Sequence, residues 1–366
     1  MKVAVLIDTW FPFIGGGQIN AYEISRILAE KGVEIEIITR NCGRDNLILH
    51  KNLKITKLGR KSDPADWLSK ITFSFTSFFY IYRNSYDLVH AHAFLPGITA
   101  RSISVFRGIP SILTVHGTSV GTGLNNKFST LLEKFILTGI YYNAQITVSR
   151  DFLHLKNTNK KIYYVSNAVK VEMFDKVSAK KPLNPTILFV GRLHSQKNII
   201  SLIKAVKILK MEIPDIKLIL AGDGPLKEKI KQTIKKDKLQ NNILVLGPVL
   251  GNDLIRLYKS SSIFVLPSVY EGQSLAVLEA WAAKIPVIAS DTGDSQYLVK
   301  NGVNGYLFKS LSDDKKLAGT IKIALSGKKL NEMGTNGYNF VKKNFSWKKS
   351  AELTLKVYEN VTQTPH

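Results

Sequence analysis

The sequence contains very little cysteine and no long apolar run. Cys42 is the single cysteine among 366 residues, so no internal disulfide bond can form and a reducing compartment is expected. No stretch reaches the roughly 18 apolar residues that a membrane-spanning helix requires. The apolar residues at 3–7 are too few for the core of a secretory signal peptide. Together these absences predict a cytoplasmic protein.

Acidic residues are scarce relative to basic ones. The chain has 28 Asp and Glu residues against 51 Lys and Arg residues, which gives a formal net charge of +23 at pH 7. Such a surplus attracts anions, and the candidates are a nucleotide, a phospholipid headgroup and a nucleic acid. The sequence has neither zinc-ligand spacing nor an aromatic–basic RNA-binding motif, so we expect no nucleic-acid partner. It also lacks a D-x-D triplet, which argues against a metal-held diphosphate.

Short runs rich in Val and Ile alternate with helical patterns in both halves of the chain. In the first half, strands are predicted at 2–7, 33–39, 88–93, 111–117 and 144–149. In the second half, they are predicted at 187–193, 217–225, 242–248, 263–268 and 286–291. This alternation predicts an α/β protein with two doubly wound parallel sheets, whose ligands bind beyond the carboxyl ends of the strands.

The alternation stops at 177–186, where two prolines lie among lysines. We place the domain boundary there, which predicts an N-terminal domain at 1–178 and a C-terminal domain at 179–346. The last segment, 347–366, is predicted to contain an amphipathic helix, and its expected buried anchors are Trp347, Leu353, Leu355 and Tyr358. From its place in the sequence alone, this helix could pack on either domain.

A glycine cluster, "FPFIGGGQIN" (11–20), follows the first predicted strand. A dinucleotide-binding fingerprint requires G-x-G-x-x-G, and Asn20 occupies the third glycine position, which argues against a nicotinamide-dependent oxidoreductase. The glycines, Gly16 among them, still let the backbone approach a ligand, and the helix start offers free N–H groups. An ordinary flexible loop is the alternative interpretation.

Two cations follow a strand in "FVGRLHSQKN" (189–198). Gly191 ends the strand, and Arg192 and Lys197 lie next to a helix start. A guanidinium fork and a compact ammonium group are the pair expected around a diphosphate. Either residue alone could be a solvated surface side chain, but their shared placement favours anion binding.

Two glutamates eight positions apart, Glu271 and Glu279, lie in "SVYEGQSLAVLEAWAAK" (268–284). On one helix this spacing separates them by about 80°, so we expect both carboxylates to face one cleft. Glu271 could accept bonds from sugar hydroxyls and Glu279 from a ribose diol, although a helix-surface carboxylate is the alternative for Glu279. The helix start offers amides that favour a phosphate, and we assign them to Gly272, Gln273, Ser274 and Leu275.

Three histidines follow or occupy predicted strands of the first half. His116 in "TVHGTS" lies at a strand end, where a ligand contact and a structural role are both open. His90 and His92 alternate on one strand and therefore share a face. Because no third ligand has suitable spacing, we interpret these two as structural or acceptor-side groups, not as metal ligands.

The ordered set of motifs resembles the retaining glycosyltransferases of the GT-B fold, specifically family 4 with its group 1 domain. The resemblance covers nearly the whole chain and rests on "FPFIGGG", "TVHG", "VSNAV", "FVGRLHSQKN", "LAGDGP", E-x7-E, "PVIASDTGDSQYLVKNGVNGYLF" and the final "SWKK" helix. It implies two Rossmann-like doubly wound domains facing a cleft, with the last helix crossing back to the N-terminal domain. One departure stands out, because Asp294 and Tyr297 occupy positions where the family commonly has a glycine and a glutamate.

The resemblance also implies roles for individual residues. Gly16 is expected to approach the donor phosphate or the acceptor, His116 to contact the donor sugar, and Glu279 to hold the ribose. The implied catalytic residues are His116, Arg192, Lys197 and Glu271. The implied donor-binding residues are Gly16, Gly191, Gly272, Gln273, Ser274, Leu275 and Glu279.

The expected reaction is transfer of a hexosyl group from a UDP- or GDP-linked sugar to a glycan or lipid-linked acceptor, with retention and without a cofactor or metal. A non-catalytic sugar-nucleotide-binding module is the alternative. The aromatic-rich segment 67–83, flanked by Lys70 and Arg83, fits a helix on an anionic membrane surface. A helix packed on the N-terminal sheet is the other interpretation of that segment.

Overall fold

The computed structural model describes residues 1–363 except 14, 45, 46, 48, 64, 118–126, 310–312 and 328. The chain forms two compact units, one made of Met1–Asn167 with Trp347–His366 and the other of Ala168–Ser346. The boundary therefore lies at Asn167 and not at the predicted residue 178. The segment after Asn167 belongs to the second unit because the N–H of Val169 donates to the carbonyl of Phe345 at 3.3 Å.

The first unit contains a seven-stranded parallel sheet in the order β3-β2-β1-β4-β5-β6-β7. Its strands are β1 (Lys2–Ile7), β2 (Glu34–Arg40), β3 (Leu53–Leu58), β4 (Leu88–His92), β5 (Ser111–Val115), β6 (Ala144–Thr147) and β7 (Ile162–Tyr164). Its first helices are α1 (Gly16–Glu30), α2 (Trp67–Arg83), α3 (Phe94–Arg107) and α4 (Lys127–Lys134). The central strands are buried along their whole length, as expected for a sheet covered on both faces.

The second unit contains a six-stranded parallel sheet in the order β10-β9-β8-β11-β12-β13. Its strands are β8 (Thr186–Val190), β9 (Lys217–Ala221), β10 (Ile243–Gly247), β11 (Ile263–Leu266), β12 (Val287–Ser290) and β13 (Gly305–Phe308). Its helices are α5 (Val171–Asp175), α6 (Ile199–Leu209), α7 (Lys227–Lys236), α8 (Gly251–Lys259), α9 (Leu275–Ala282), α10 (Ser295–Leu298), α11 (Asp314–Ser326) and α12 (Leu330–Asn344). Two Rossmann-like α/β units are thus confirmed.

The last helix, α13 (Trp347–Thr362), belongs to the first unit, where it packs against α1. Of its expected anchors, Trp347 and Tyr358 are buried, but Leu353 is 36% exposed and is not an anchor. Ala351 and Thr354 occupy the buried side instead, because the inner face of the helix is lined by small residues between the two aromatic side chains. Residues 364–366 of the predicted segment lie outside the described residues.

In each sheet, successive strands are added first towards one edge and then towards the other, so the strand order changes direction at one place. In the first unit the reversal lies between β1 and β4, and in the second it lies between β8 and β11. Ligands of open α/β sheets bind outside the carboxyl ends of the strands at such a topological switch point. The residues that follow these four strands are therefore the candidates for the functional site.

Candidate functional site

Two histidines meet at the switch point of the first unit. His92 is the last residue of β4, and His116 directly follows β5. The Nδ1 atom of His92 lies 2.8 Å from the Nε2 atom of His116, and the planes of the two rings make an angle of 20°. The Nδ1 atom of His116 is buried without a hydrogen-bond partner among the described residues. One polar atom of His116 is thus available to a ligand.

The glycine cluster lies against this histidine. Helix α1 begins at Gly16, and a Cβ atom on Gly17 would lie 3.3 Å from the Cδ2 atom of His116. A side chain at position 17 would therefore crowd the imidazole ring. The structure thus brings the start of α1 and His116 together.

The histidines of this unit are held in the neutral state by burial. Burial lowers the pKa of His116 to about 4. It also lowers the pKa of His90 to about 3, and the nearby His116 contributes in the same direction. Burial and the neighbouring imidazoles lower the pKa of His92 well below its usual range. Near pH 7 these three histidines are therefore neutral hydrogen-bonding groups.

Charged residues gather at the switch point of the second unit. The Nζ atom of Lys197 donates a hydrogen bond to the Oε2 atom of Glu271, and both side chains are 16% exposed. The hydroxyl of Ser268 donates to the same carboxylate oxygen at 3.1 Å. Lys197 and Glu271, predicted from two separate motifs, thus form one ion pair between the ends of β8 and β11.

Arg192 also follows β8, and its side chain is exposed. Burial lowers the pKa of the nearby His194, and the charges of Arg192 and Lys197 lower it further. A neutral His194 between two cations indicates a positive potential at this end of the sheet, which favours an anionic ligand.

Glycines that the sequence did not assign to the site shape the loops around these charges. A Cβ atom on Gly222 would lie 2.0 Å from the carbonyl oxygen of Gly191, and one on Gly293 would lie 1.5 Å from the carbonyl oxygen of Glu271. Both glycines have φ in the left-handed region, at 144° and 55°. The loops after β9 and β12 therefore press directly on the backbones that carry Arg192 and Glu271.

Helix α9 begins at Leu275, with Ser274 as a cap residue that makes no side-chain capping bond. Gly272, Gln273 and Ser274 therefore precede the helix and do not start it as predicted. Glu279 lies in the second turn of α9. Because no side chain caps the first turn, its N–H groups keep the capacity to bind an anion.

Asp294, one of the two departures from the family pattern, is fully buried under the loop that carries Glu271. Its N–H donates to the carbonyl of Gly272 at 3.0 Å, and its Oδ2 atom accepts from the Nε2 atom of Gln273 at 2.8 Å. Tyr297, the other departure, is 39% exposed. Asp294 thus supports the shape of the Glu271 loop through a contact that the sequence did not reveal.

Glu279 has a buried partner. The hydroxyl of Tyr258 donates to the Oε2 atom of Glu279 at 2.8 Å, and Tyr258 is fully buried. Burial raises the pKa of Glu279 to about 7, although the bond from Tyr258 acts in the opposite direction. This setting differs from that of a solvated helix-surface carboxylate, and it leaves Glu279 able to change its charge near neutral pH.

The described part of the chain has neither a cluster of metal ligands nor a candidate membrane span. None of its histidines, cysteines, aspartates and glutamates form a group of three or more that could hold a metal ion. None of its helices combines the length and the apolar character that crossing a bilayer would require.

Two solved structures share this fold. Sucrose-phosphate synthase from Thermosynechococcus elongatus superposes with a TM-score of 0.84 at 21% identity, covering 98% of both chains. Anabaena HepE, in complex with UDP-glucose, gives a TM-score of 0.79 at 15% identity over the full length of both chains. These similarities confirm the GT-B fold.

The family comparisons identify the chain more closely. Residues 170–340 match the model described as glycosyl transferases group 1, and residues 14–172 match the model of glycosyltransferase family 4. The UDP-Gal:alpha-D-GlcNAc-diphosphoundecaprenol alpha-1,3-galactosyltransferase of Escherichia coli is 30% identical over 292 residues, which are 71% of this chain and 74% of that protein. The family resemblance found in the sequence is thereby confirmed, whereas retention of configuration stays a prediction, and the chain belongs to the group 1 glycosyltransferases.

Proposed function

We propose that this glycosyltransferase moves a hexosyl group from a UDP- or GDP-linked sugar to a hydroxyl acceptor, with retention of anomeric configuration. The proposed reaction needs neither a metal ion nor a cofactor. The observation that carries the proposal is the Lys197–Glu271 ion pair, which lies beside the exposed Arg192 at the β8/β11 switch point. The Anabaena structure with UDP-glucose is consistent with a nucleotide-sugar donor.

Stabilisation of the departing diphosphate is the main task of such a site. The planar guanidinium of Arg192 suits two phosphate oxygens, and Lys197 supplies a compact charge. Uncapped N–H groups at the start of α9 add fixed dipoles. Glu271 holds Lys197 in place before the donor binds, and we propose that the carboxylate then accepts bonds from sugar hydroxyls.

Retention requires the acceptor to attack from the face that the diphosphate leaves. In the proposed step the bond between the anomeric carbon and the phosphate oxygen breaks while the acceptor oxygen bonds to that carbon. The acceptor proton passes to an oxygen of the departing phosphate, so the diphosphate leaves with the electron pair and takes up the proton. We further propose that His116 and Gly16 contact the donor and that Glu279 holds the ribose.

The acceptor that we propose is lipid-linked, with a soluble glycan as the alternative. The Escherichia coli relative is named for an alpha-D-GlcNAc-diphosphoundecaprenol acceptor, which is a lipid-linked sugar. Such an acceptor is presented at a membrane surface, so the protein would have to contact an anionic bilayer while remaining peripheral to it.

An exposed apolar face of the first unit supports that contact. Trp67, Ile71, Phe75 and Phe79 recur every four residues along α2 and are 68%, 46%, 62% and 54% exposed. Residues on the opposite side of α2, such as Phe73 and Ile81, are buried in the core. Helix α2 therefore packs on the sheet and still presents a second apolar side. We call this side, with the exposed Phe106 of α3, the α2–α3 face.

The charges around the α2–α3 face match an anionic surface. Neither α2 nor α3 contains an acidic residue, and their cations are Lys70, Arg83, Arg101 and Arg107. A groove of about 430 Å³ beside α2 is lined by Leu58, Thr76, Phe79, Tyr80, Arg83 and Asn84. Aromatic side chains flanked by basic residues are typical of helices that lie in the bilayer interface.

The donor proposal is tested by a panel of UDP- and GDP-linked sugars, read as thermal shift and as transfer in the presence of a chelator. We expect at least one donor to stabilise the protein and to support transfer with EDTA present. Transfer that stops in EDTA would contradict metal independence. Donor binding with neither transfer nor donor hydrolysis would instead favour the non-catalytic binding module.

The membrane proposal is tested by sedimentation with phosphatidylglycerol-containing vesicles at low salt. The wild type should sediment, whereas the double variant Phe75→Ser, Phe79→Ser should stay in the supernatant. Met211→Ser, which removes an 84% exposed side chain from the second unit, is the matched control and should sediment like the wild type. Wild-type protein that does not bind these vesicles would contradict the proposal and favour a soluble acceptor.

A further inference from the structure

A row of buried side chains leads from the last helix to His116. The hydroxyl of Tyr358 lies 2.6 Å from the Nδ1 atom of His90, and the Nε2 atom of His90 lies 2.6 Å from the hydroxyl of Thr114. The rings of His90 and His92 are 4.5 Å apart, and His92 in turn contacts His116 at 2.8 Å. His90 and His92 are each only 2% exposed, so water competes little for these contacts.

We infer that His92 is a positioning residue, which fixes the orientation and the tautomer of His116. The inference rests on the proposed function only in that His116 is taken to touch the donor. Nothing in the sequence motifs assigns such a role to His92, which the sequence interpretation leaves as a structural or acceptor-side group. Its place at the end of β4, beside the switch point, is what suggests a role in the site.

The chemistry of the pair requires one ring to donate and the other to accept. A neutral imidazole carries a single N–H, and both rings are neutral near pH 7 because burial lowers their pKa values. If His92 donates, then His116 accepts at Nε2 and its Nδ1 carries the hydrogen. If His116 donates, its Nδ1 presents a lone pair. In either case the bond to His92 decides what His116 offers a ligand at Nδ1.

The packing around His116 shows why a single orientation is maintained. The ring meets His92 edge to edge through its Nε2 atom, and Gly17 at the start of α1 lies against its Cδ2 edge. Without the bond from His92, the ring could flip and expose the other nitrogen to the ligand. A loss of orientation in a site that binds the donor lowers the rate by about tenfold or more.

The first measurement is the ¹⁵N spectrum of histidine-labelled protein, because protonated and unprotonated ring nitrogens give well-separated shifts. The wild type should show one tautomer at His116. His92→Leu should show a mixture of tautomers, and His92→Asn, whose amide can replace Nδ1, should again show one. Thr114→Val is the control, because it removes a hydrogen-bond partner of His90 and not of His116. It should leave the His116 signals unchanged.

The second measurement is steady-state transfer with the same variants. We expect kcat of His92→Leu to fall about tenfold with a smaller change in donor KM, and His92→Asn to recover most of the loss. An unchanged His116 spectrum in His92→Leu would overturn the inference, and so would a His92→Asn variant as impaired as His92→Leu. If the wild type transfers no sugar at all, the proposed function fails, but the spectra still decide whether His92 sets the tautomer.

Discussion

The two units share one topology, yet their switch points carry different chemistry. In the first unit, buried and neutral histidines meet a glycine loop, and their pKa values lie far below neutrality. In the second unit, Arg192 and the Lys197–Glu271 pair supply full charges. A doubly wound sheet thus fixes where a ligand binds, whereas the side chains after its strands decide whether hydrogen bonds or charges hold that ligand.

The largest expected effect comes from removing the cations of the second unit. Arg192→Ala and Lys197→Ala should each lower transfer about a hundredfold, roughly 3 kcal/mol of transition-state stabilisation, because each removes a charge from the departing diphosphate. Lys207→Ala, which breaks a surface pair with Asp237, is the control and should stay near wild-type activity. Near-normal turnover in both site variants, with folding confirmed by circular dichroism, would end the assignment of charge stabilisation to the second unit.

A buried charge in the first unit tests whether charges bind the ligand only in the second unit. Glu36 is buried and accepts bonds from the hydroxyls of Thr56, Tyr80 and Tyr86 and from Lys54. Burial alone would raise its pKa, but these bonds outweigh that effect and lower it to about 2. Glu36→Gln should therefore lower the free energy of unfolding by about 2–3 kcal/mol at pH 7, measured by urea denaturation.

The pH dependence of that loss follows from the sign of the shift. A carboxylate whose folded pKa lies below its usual value of 4.5 stabilises the fold above pH 4.5, and the stabilisation disappears as the pH falls towards 2. The difference between wild type and Glu36→Gln should shrink over that range. Donor affinity should not change, since Glu36 lies on β2, away from the switch point; a large loss of affinity would show that charge in the first unit also serves the ligand.

Two glycines of the second unit test whether the shape of the Glu271 loop matters for donor binding. Gly293 and Gly302 have φ values of 55° and 72°, but only Gly293 faces the carbonyl of Glu271. Gly293→Ala should displace the Glu271 loop and weaken donor binding about tenfold. Gly302→Ala meets nothing within 4 Å, so it should cost only backbone strain, about 1 kcal/mol of stability. If Gly293→Ala and Gly302→Ala bind the donor with equal affinity in titration calorimetry, a role of the Glu271 loop in donor binding is contradicted.

The smallest expected effect is a pH dependence of donor affinity, which should arise from a residue of the second unit and not from the first. Ribose hydroxyls donate to an ionised carboxylate, so donor affinity should rise severalfold as the pH rises through about 7, the pKa of Glu279. Tyr258→Phe removes the bond that lowers this pKa and should move the midpoint upward, whereas Glu279→Gln should give a flat profile. The histidines of the first unit stay neutral from pH 6 to 8 and should contribute nothing, so a pH dependence that persists in Glu279→Gln would contradict this division.

Much of the fold could be predicted from the sequence, and the motifs supplied candidate site residues that the structure places at the switch points. The buried Val- and Ile-rich strands of both sheets are recognisable because parallel strands covered on two faces are continuously apolar. The edge strand β3 is half-exposed and carries two lysines, so it was not predicted. The boundary at Asn167 was missed because α5 has only five residues and its place depends on Phe174 packing against Tyr258.

The contacts within the sites were beyond local sequence patterns. Tyr258 and Glu279 are 21 residues apart, and His92 and His116 are 24 residues apart. The pairing of β4 with β5 brings the two histidines together, whereas Tyr258 and Glu279 meet through α8 and α9, the helices before and after β11. Motifs therefore pointed to candidate residues, but not to the side chains that each of them contacts.

The most direct test of the central claim is a crystal structure of the protein with a bound UDP- or GDP-linked sugar, grown without divalent cations. We predict that the diphosphate lies within hydrogen-bonding distance of Arg192 and Lys197, beyond the carboxyl ends of β8 and β11. A diphosphate bound elsewhere in the molecule, or one that enters this site only with a metal ion, would contradict the claim.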